Sequence, residues 1–423
     1  MKENLLHFIW KLRLFSVKNL LTTSGKLIHI ISNGTHNLNT GPDFFNAKIE
    51  INGQVWAGNV EIHVKSSDWY NHKHEMDENY DSVILHVVWE HDVEIYRENN
   101  DKIETLELKN YISKEILNNY NLLFSKNKKW INCENDIEFI DSFIIENWLE
   151  RLYFERLEQK SEFVQQILSK TINNWERTLF ILLAKGFGLK VNSEAFLNFA
   201  CSFDFSIVRK VSNNVIQLEA LFLGQAGLLN NEFESIYFNK LKKEYSFLKV
   251  KFNLEPISKG QVQFFRLRPN NFPTIRLSQL AFLYNKYQNL FSEIIKINSL
   301  KDFYNLFEVT TSSFWKTHYT FETESKESSK KLTKSFIDLL LINTIIPLKF
   351  VHLKSLGSNN FTLLFSIIEQ IKPEKNTITD KFNELKVKSS NAFKSQALIQ
   401  LKNEYCNKQL CLQCAIGKEL LKR

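Results

Sequence analysis

The chain has 423 residues, 43% of them hydrophobic and 24% charged, with a formal net charge of +7. That length exceeds one ordinary core and implies two or three domains, and the balance excludes a disordered or collagen-like chain. No apolar run reaches bilayer length and no secretion signal precedes the first helix, so a cytoplasmic protein without a membrane partner is expected.

In chain order, residues 4–13 place Leu5, Phe8, Ile9 and Leu12 at helical spacing and predict a first amphipathic helix. Residues 27–31 predict a short strand, followed by turns at Asn33-Gly34 and Gly41-Pro42. Residues 44–51 alternate, with Phe45, Ala47, Ile49 and Ile51 on one face. Asn52-Gly53 is a strong hairpin signal, and residues 55–65 return with Glu61, His63 and Lys65 sharing a face. The apolar run 82–89 predicts a strand covered on both sides. Weaker strands are expected near 93–97 and 103–108. Beyond residue 111 the spacing turns helical, over 141–168, 175–186, 214–228, 233–247, 277–296 and 334–345. The polar stretch 323–333 predicts a linker or an exposed helix start. The fold class is therefore α+β: a mixed sheet with a flanking helix in 1–110, a helical domain in 111–322 and a helical C-terminal segment in 334–423.

Charge follows this division. Residues 1–140 hold 15 basic and 20 acidic residues, the remainder 39 and 27. An acidic sheet suits a cation, and a basic helical part suits a polyanion such as nucleic acid; solvated helix faces would give the same count. There is no P-loop, no dinucleotide fingerprint and no serine-hydrolase elbow, and 12 glycines leave little for a phosphate cradle.

The candidate site lies in the sheet. Asp43 follows the Gly41-Pro42 turn, and Glu61 sits in the middle of the strand after the hairpin. If the two carboxylates meet, they can hold a hard divalent cation, Mg²⁺ or Mn²⁺, of the kind phosphodiester hydrolysis uses. His63 and Lys65 then lie on the same face, Lys65 about 7 Å beyond Glu61 + 2 along the strand at ~3.3 Å per residue. Six of the ten histidines, His36, His63, His72, His74, His86 and His91, fall in this region, with Asp68 among them. A zinc site from His63, His72 and His74 is one alternative. A plain solvent loop is the expectation for His72-Lys73-His74, and Asp43 as a turn residue beside a solvated strand face is another open reading.

Pro42-Asp43, then Glu61-Ile62, on a helix, hairpin and buried strand, resembles the PD-(D/E)XK nuclease superfamily over residues 1–95. The resemblance implies a restriction-endonuclease-like fold, Asp43 and Glu61 as metal ligands, and a nucleic-acid substrate. His63 stands where that family has lysine; Lys65 reaching back, or His63 acting as a ligand, would restore a catalytic set of Asp43, Glu61, His63 and Lys65. Asp68, His72, His74 and His86 would support it. The runs Gly-Pro-Asp-Phe-Phe-Asn-Ala, Val-Glu-Ile-His, Ser-Asp-Trp-Tyr-Asn-His and Leu-His-Val-Val-Trp are also similar to an uncharacterised bacterial family, a domain of unknown function.

Two further features stand outside the sheet. Arg266, Arg268 and Arg276 flank a proline-containing turn with interleaved aromatics, a pattern for nucleic-acid binding or for a helix start with paired arginines. Cys406, Cys411 and Cys414 have C-x4-C-x2-C spacing, a possible second metal site for zinc or an iron–sulfur cluster, with Cys133, Cys201 or a histidine as the fourth ligand. Buried free thiols are the other reading. The expected activity is a metal-dependent nuclease; the alternatives are a catalytically silent nucleic-acid-binding scaffold and a zinc-histidine hydrolase.

Overall fold

The structure is a computed structural model and describes residues 2–125, 129–258 and 260–423. The chain forms two units, one of residues 1–148 with 402–423 and one of 149–401. The boundaries expected at 110 and 322 do not coincide with them. Residues 111–148 and the last 22 residues belong with the sheet, because the returning C-terminal segment packs on the chain that follows it.

In the first unit, helix α1 (Glu3–Leu12) buries Leu5, Leu6, Phe8, Ile9 and Trp10 and packs on the sheet. Seven strands follow: β1 (Leu20–Leu21), β2 (Leu27–Ser32), β3 (Thr35–His36), β4 (Phe44–Ile51), β5 (Gln54–Lys65), β6 (Val83–Glu90) and β7 (Thr105–Glu107). Their order is β1-β2-β4-β5-β6-β7, with β3 beside β4. The first four pairings are antiparallel, and β5–β6 and β6–β7 are parallel, so the sheet is mixed as expected. Asn52 and Gly53 both take positive φ, 50° and 83°, which is the twist a two-residue hairpin requires.

Two local expectations fail for identifiable reasons. In β4 the buried residue is Phe44 rather than Phe45, because a bulge between Phe44 and Ala47, with Asn46 at φ 57°, shifts the alternation by one. The segments 93–97 and 103–108 contribute only a Tyr96–Lys102 bridge and the short β7. Parallel pairing of β5 with β6 forces the chain to cross over between them. That crossover carries α2 (Asp68–Asn71) and two 3₁₀ turns, over a core of Trp69, Tyr80, Val83, Ile95 and Ile103.

The second unit is helical. Within it Trp175–Phe187, Leu189–Cys201, Val215–Gln225 and Pro273–Lys286 enclose Phe180, Phe199, Phe222 and Tyr284. The run expected as one helix over 277–296 is two helices, Pro273–Lys286 and Leu290–Lys296. Residues 325–333 stay non-helical. The helical stretch Lys334–Ser355, which includes a π turn at Leu341–Ile345, has the length and apolarity of a membrane span, a property the sequence reading had excluded. Its most apolar window is 72% buried inside the protein, as in a core helix.

Candidate metal centre

The Gly41-Pro42 turn is tied by Asn37, whose Nδ2 donates to the carbonyls of Asn39, Thr40 and Pro42 at 3.0–3.2 Å. Asp43 therefore leaves the turn in a set direction. Its N–H donates to Glu61 Oε2 at 3.1 Å, and its Oδ2 accepts from the N–H of Ile62 at 3.0 Å. The loop carboxylate and the mid-strand carboxylate are each tied to the other strand's backbone N–H.

The crossover adds imidazoles. His63 Nε2 lies 3.5 Å from Glu61 Oε1 and 3.1 Å from His72 Nδ1, and His74 Nε2 lies 3.3 Å from Glu61 Oε1. The three histidine nitrogens are all within 4.8 Å of one another. Four tetrahedral ligands at about 2.0–2.1 Å from a cation stand about 3.4 Å apart, so these spacings suit a single ion. His72 is exposed, as a solvent loop would have it, yet its Nδ1 reaches His63; His74 is half-buried. The short 3₁₀ turn at His74–Met76 and the stacking of His74 on Tyr80, at 3.7 Å between ring centres, hold the His74 ring against the site.

His86, on the neighbouring strand, supports the set from behind. Its Nε2 lies 2.8 Å from His63 Nδ1, and both rings are almost wholly buried. For His63 Nε2 to present a lone pair, Nδ1 must carry the proton and donate to His86. The His86 proton then sits on Nδ1, a buried atom with no partner among the described residues, as is Oγ1 of its ladder neighbour Thr105.

Burial first, and then the charge of Asp43, push the Glu61 carboxyl up to about 9. Burial, reinforced by His74 and His72, pulls His63 down to about 3. Burial also lowers His74, and it lowers His86 further. The lowered pKa of His63 and His74 favours their neutral form, which beside Glu61 is a donor set suited to a divalent cation.

Two contributors went unread in the sequence. His7 Nε2 lies 3.0 Å from Asp43 Oδ2. Burial opposes its charge, but the adjoining Asp43 carboxylate, with Glu3 and Glu61, raises its pKa on balance. Glu3 stands one turn before His7, and that i, i+4 acidic–imidazole pair on α1 was the available signal.

The remaining candidates fall elsewhere. Lys65 is exposed at the end of β5, and the structure does not bring it to the carboxylates. Asp68 accepts the N–H of Lys65 at 3.0 Å and the side chain of Asn71 at 3.1 Å, which makes it a turn residue beside the site. Arg266 and Arg268 are exposed in the second unit, Arg266 over the Phe265 ring. Arg276 is buried, donates to Gln279 and Asn271, and lies 3.5 Å from the Phe336 ring centre, so it is a core cation rather than a phosphate contact. Cys201 belongs to the second unit and the other four cysteines to the first.

These features define an α+β protein with a mixed carboxylate–imidazole centre on a sheet. Residues 3–377 match the family model described as protein of unknown function (DUF2851), and the chain belongs to that family. Cys406, Cys411 and Cys414 lie beyond the matched residues. No curated protein and no solved structure matches the chain.

Proposed function

We propose that this protein is a metal-dependent hydrolase that cleaves phosphodiester bonds in DNA or RNA on a restriction-endonuclease-like sheet. The observation that carries the reading is the grouping of His63, His72 and His74, with Glu61 Oε1 3.5 Å from His63 and 3.3 Å from His74 and the backbone of Asp43 on Glu61 Oε2. The order of α1, the β4–β5 hairpin and parallel β6 is the order the PD-(D/E)XK resemblance implies. The exposed Arg266 and Arg268 and the basic balance beyond residue 140 suit a polyanionic substrate. A cytoplasmic location goes with that substrate.

Glu61, His63, His72 and His74 would hold the cation, with Asp43 beside them. Imidazole donors favour Mn²⁺ or Zn²⁺ over Mg²⁺. A cation held there would supply polarisation of the phosphate and a lowered pKa for a water. His86 fixes the tautomer of His63. His7, whose pKa the neighbouring Asp43 raises against the effect of burial, would do the work that lysine does in the resembled family: it would offset charge on the phosphate or deliver a proton to the leaving oxygen. The three imidazoles favour a second reading, a zinc hydrolase of a small substrate.

The test is cleavage of single- and double-stranded DNA and RNA by the full chain, stripped of metal and resupplied with Mg²⁺, Mn²⁺ or Zn²⁺. Cleavage with Mn²⁺ or Zn²⁺ is expected, reduced roughly 100-fold or more in Asp43→Ala and Glu61→Gln. Intact nucleic acid under every metal, or unchanged cleavage in Asp43→Ala, rejects the nuclease. Salt-sensitive binding without turnover would instead assign a silent binding scaffold, and bound zinc with neither would leave the small-substrate hydrolase.

A further inference from the structure

The second unit carries a basic, partly apolar surface that the hydrolase reading does not use. The helix Ile236–Phe252 buries Phe238, Leu241, Tyr245 and Leu248, at the three- and four-residue spacing that gives a helix one inner face. That face is held in place. Gly224, in the neighbouring helix Val215–Gln225, leaves room for the Tyr245 ring, since a Cβ there would stand 2.2 Å from it. The Tyr245 hydroxyl donates to Gln225 Oε1 at 2.9 Å. The direction of the outer face is thereby set as well.

Lys240, Lys243, Phe247, Val250 and Lys251 share that outer face, and all are exposed. Phe247 is 55% and Val250 86% exposed. At i, i+3 they adjoin, so they form one apolar knob rather than two scattered residues. Lysines surround it. Lys251 Nζ lies 5.4 Å from the ring centre of Phe247 and 5.2 Å from that of Phe252. Lys210, from the helix Phe205–Val211, lies 5.5 Å from the same Phe252 ring. Lys240, Lys243 and Lys249 make no ion pair among the described residues. The acids nearby are engaged or off the face: Glu232 pairs with Lys242, Glu244 accepts from Gln217 at 3.3 Å, and Glu255 lies beyond the helix end. The knob therefore stands in a field of unneutralised positive charge.

We propose that the outer face of the helix Ile236–Phe252 docks on an anionic phospholipid surface. The lysine ammonium groups meet the headgroup phosphates, while the lysine stems, Phe247 and Val250 enter the boundary with the acyl chains. A nucleic acid would use the lysines, and a base could stack on Phe247, but Val250 would stay in water. A lipid surface takes the cations and both apolar side chains together. Lying on a surface needs no spanning segment, so the lack of one in the sequence does not oppose this partner. The docking face is independent of the hydrolase reading.

The test is co-sedimentation of the full chain with vesicles of phosphatidylcholine alone and of phosphatidylcholine mixed with phosphatidylglycerol. Binding to the mixed vesicles is expected, roughly 10-fold or more above binding to the neutral ones and weakened by salt. Lys243→Glu with Lys251→Glu should lower it about 10-fold or more, and Phe247→Ser with Val250→Ser should remove the part that survives high salt. These side chains are exposed, so circular dichroism and the unfolding midpoint should stay at wild type in both variants. Asp43→Ala should bind vesicles as the wild type does, whatever happens to cleavage. No binding of the wild type to mixed vesicles, or undiminished binding in both double variants, would overturn the proposal. Nucleic-acid binding lost in the lysine variant, with vesicles unbound throughout, would overturn it too and assign the face to nucleic acid.

Discussion

Asp43, one residue before β4, faces Glu61 when the β4–β5 register is extended past Phe44 and Val60, its N–H on Glu61 Oε2, and one extra residue in β4 puts it there. From the hairpin the register runs Ile51 to Gln54, Ile49 to Trp56 and Ala47 to Gly58; beyond the bulge it runs Phe44 to Val60. Continued without the bulge, the ladder would set Asp43 against Ile62, whose side chain points to the other face. The bulge at Asn46 is thus a positioning device for the carboxylate pair.

Deleting Asn46 should therefore weaken Mn²⁺ or Zn²⁺ binding by roughly 10- to 100-fold without removing a ligand. Asn46→Gly, which accepts the same positive φ, should bind within a few-fold of wild type. Calorimetric titration of both variants checks this; wild-type affinity in the deletion would refute it.

His86 touches the centre only through His63. His86→Phe keeps a ring in the buried strand but removes the acceptor for His63 Nδ1–H. Metal affinity should fall on the order of 10- to 100-fold while circular dichroism stays native. An unchanged dissociation constant would show that His86 is core filling.

The arginines should separate by role. Arg276→Ala removes a buried guanidinium from Asn271, Gln279 and the Phe336 ring and should destabilise the chain by about 2–4 kcal/mol in urea unfolding. Arg266→Ser with Arg268→Ser should change stability by less than about 0.5 kcal/mol and weaken nucleic-acid binding instead, with a shallower salt dependence. The reverse pattern would exclude the exposed pair as a polyanion contact.

Lys349 gives a pH signature. Its Nζ is buried and donates to the carbonyls of Ile294, Ile295 and Ile297 at the end of a helix, and burial pulls its pKa down to about 8. The unfolded lysine keeps its proton to about 10.4. Between these values the unfolded state binds more protons, so stability from this residue rises with pH across that window and is lowest below it. The urea midpoint of wild type minus that of Lys349→Met should rise from pH 8 to 10; a flat difference would place the pKa elsewhere.

Local chemistry made much of the sheet readable. Alternation marked 44–51 and 55–65, Asn52-Gly53 marked the turn between them, and helical spacing marked 3–12 and 142–170 almost to their ends. These signals are written in neighbouring residues, because side chains in a strand or helix repeat at a fixed local period. The same spacing named Asp43, Glu61, His63 and His86 as candidates, and composition placed the histidines in one region.

Tertiary structure alone decided which of them meet. A one-residue bulge chose Glu61 over Ile62 as the partner of Asp43. The crossover demanded by parallel β5–β6 pairing carried His72 and His74 up to His63, α1 brought His7, and Lys65 was left at an exposed strand end. Arg276, open in sequence to a nucleic-acid contact or a helix start, sits in the first turn of Pro273–Lys286 and is drawn into a core. Contacts between segments distant in the chain depend on register, connection and packing, and a period read along one segment contains none of these.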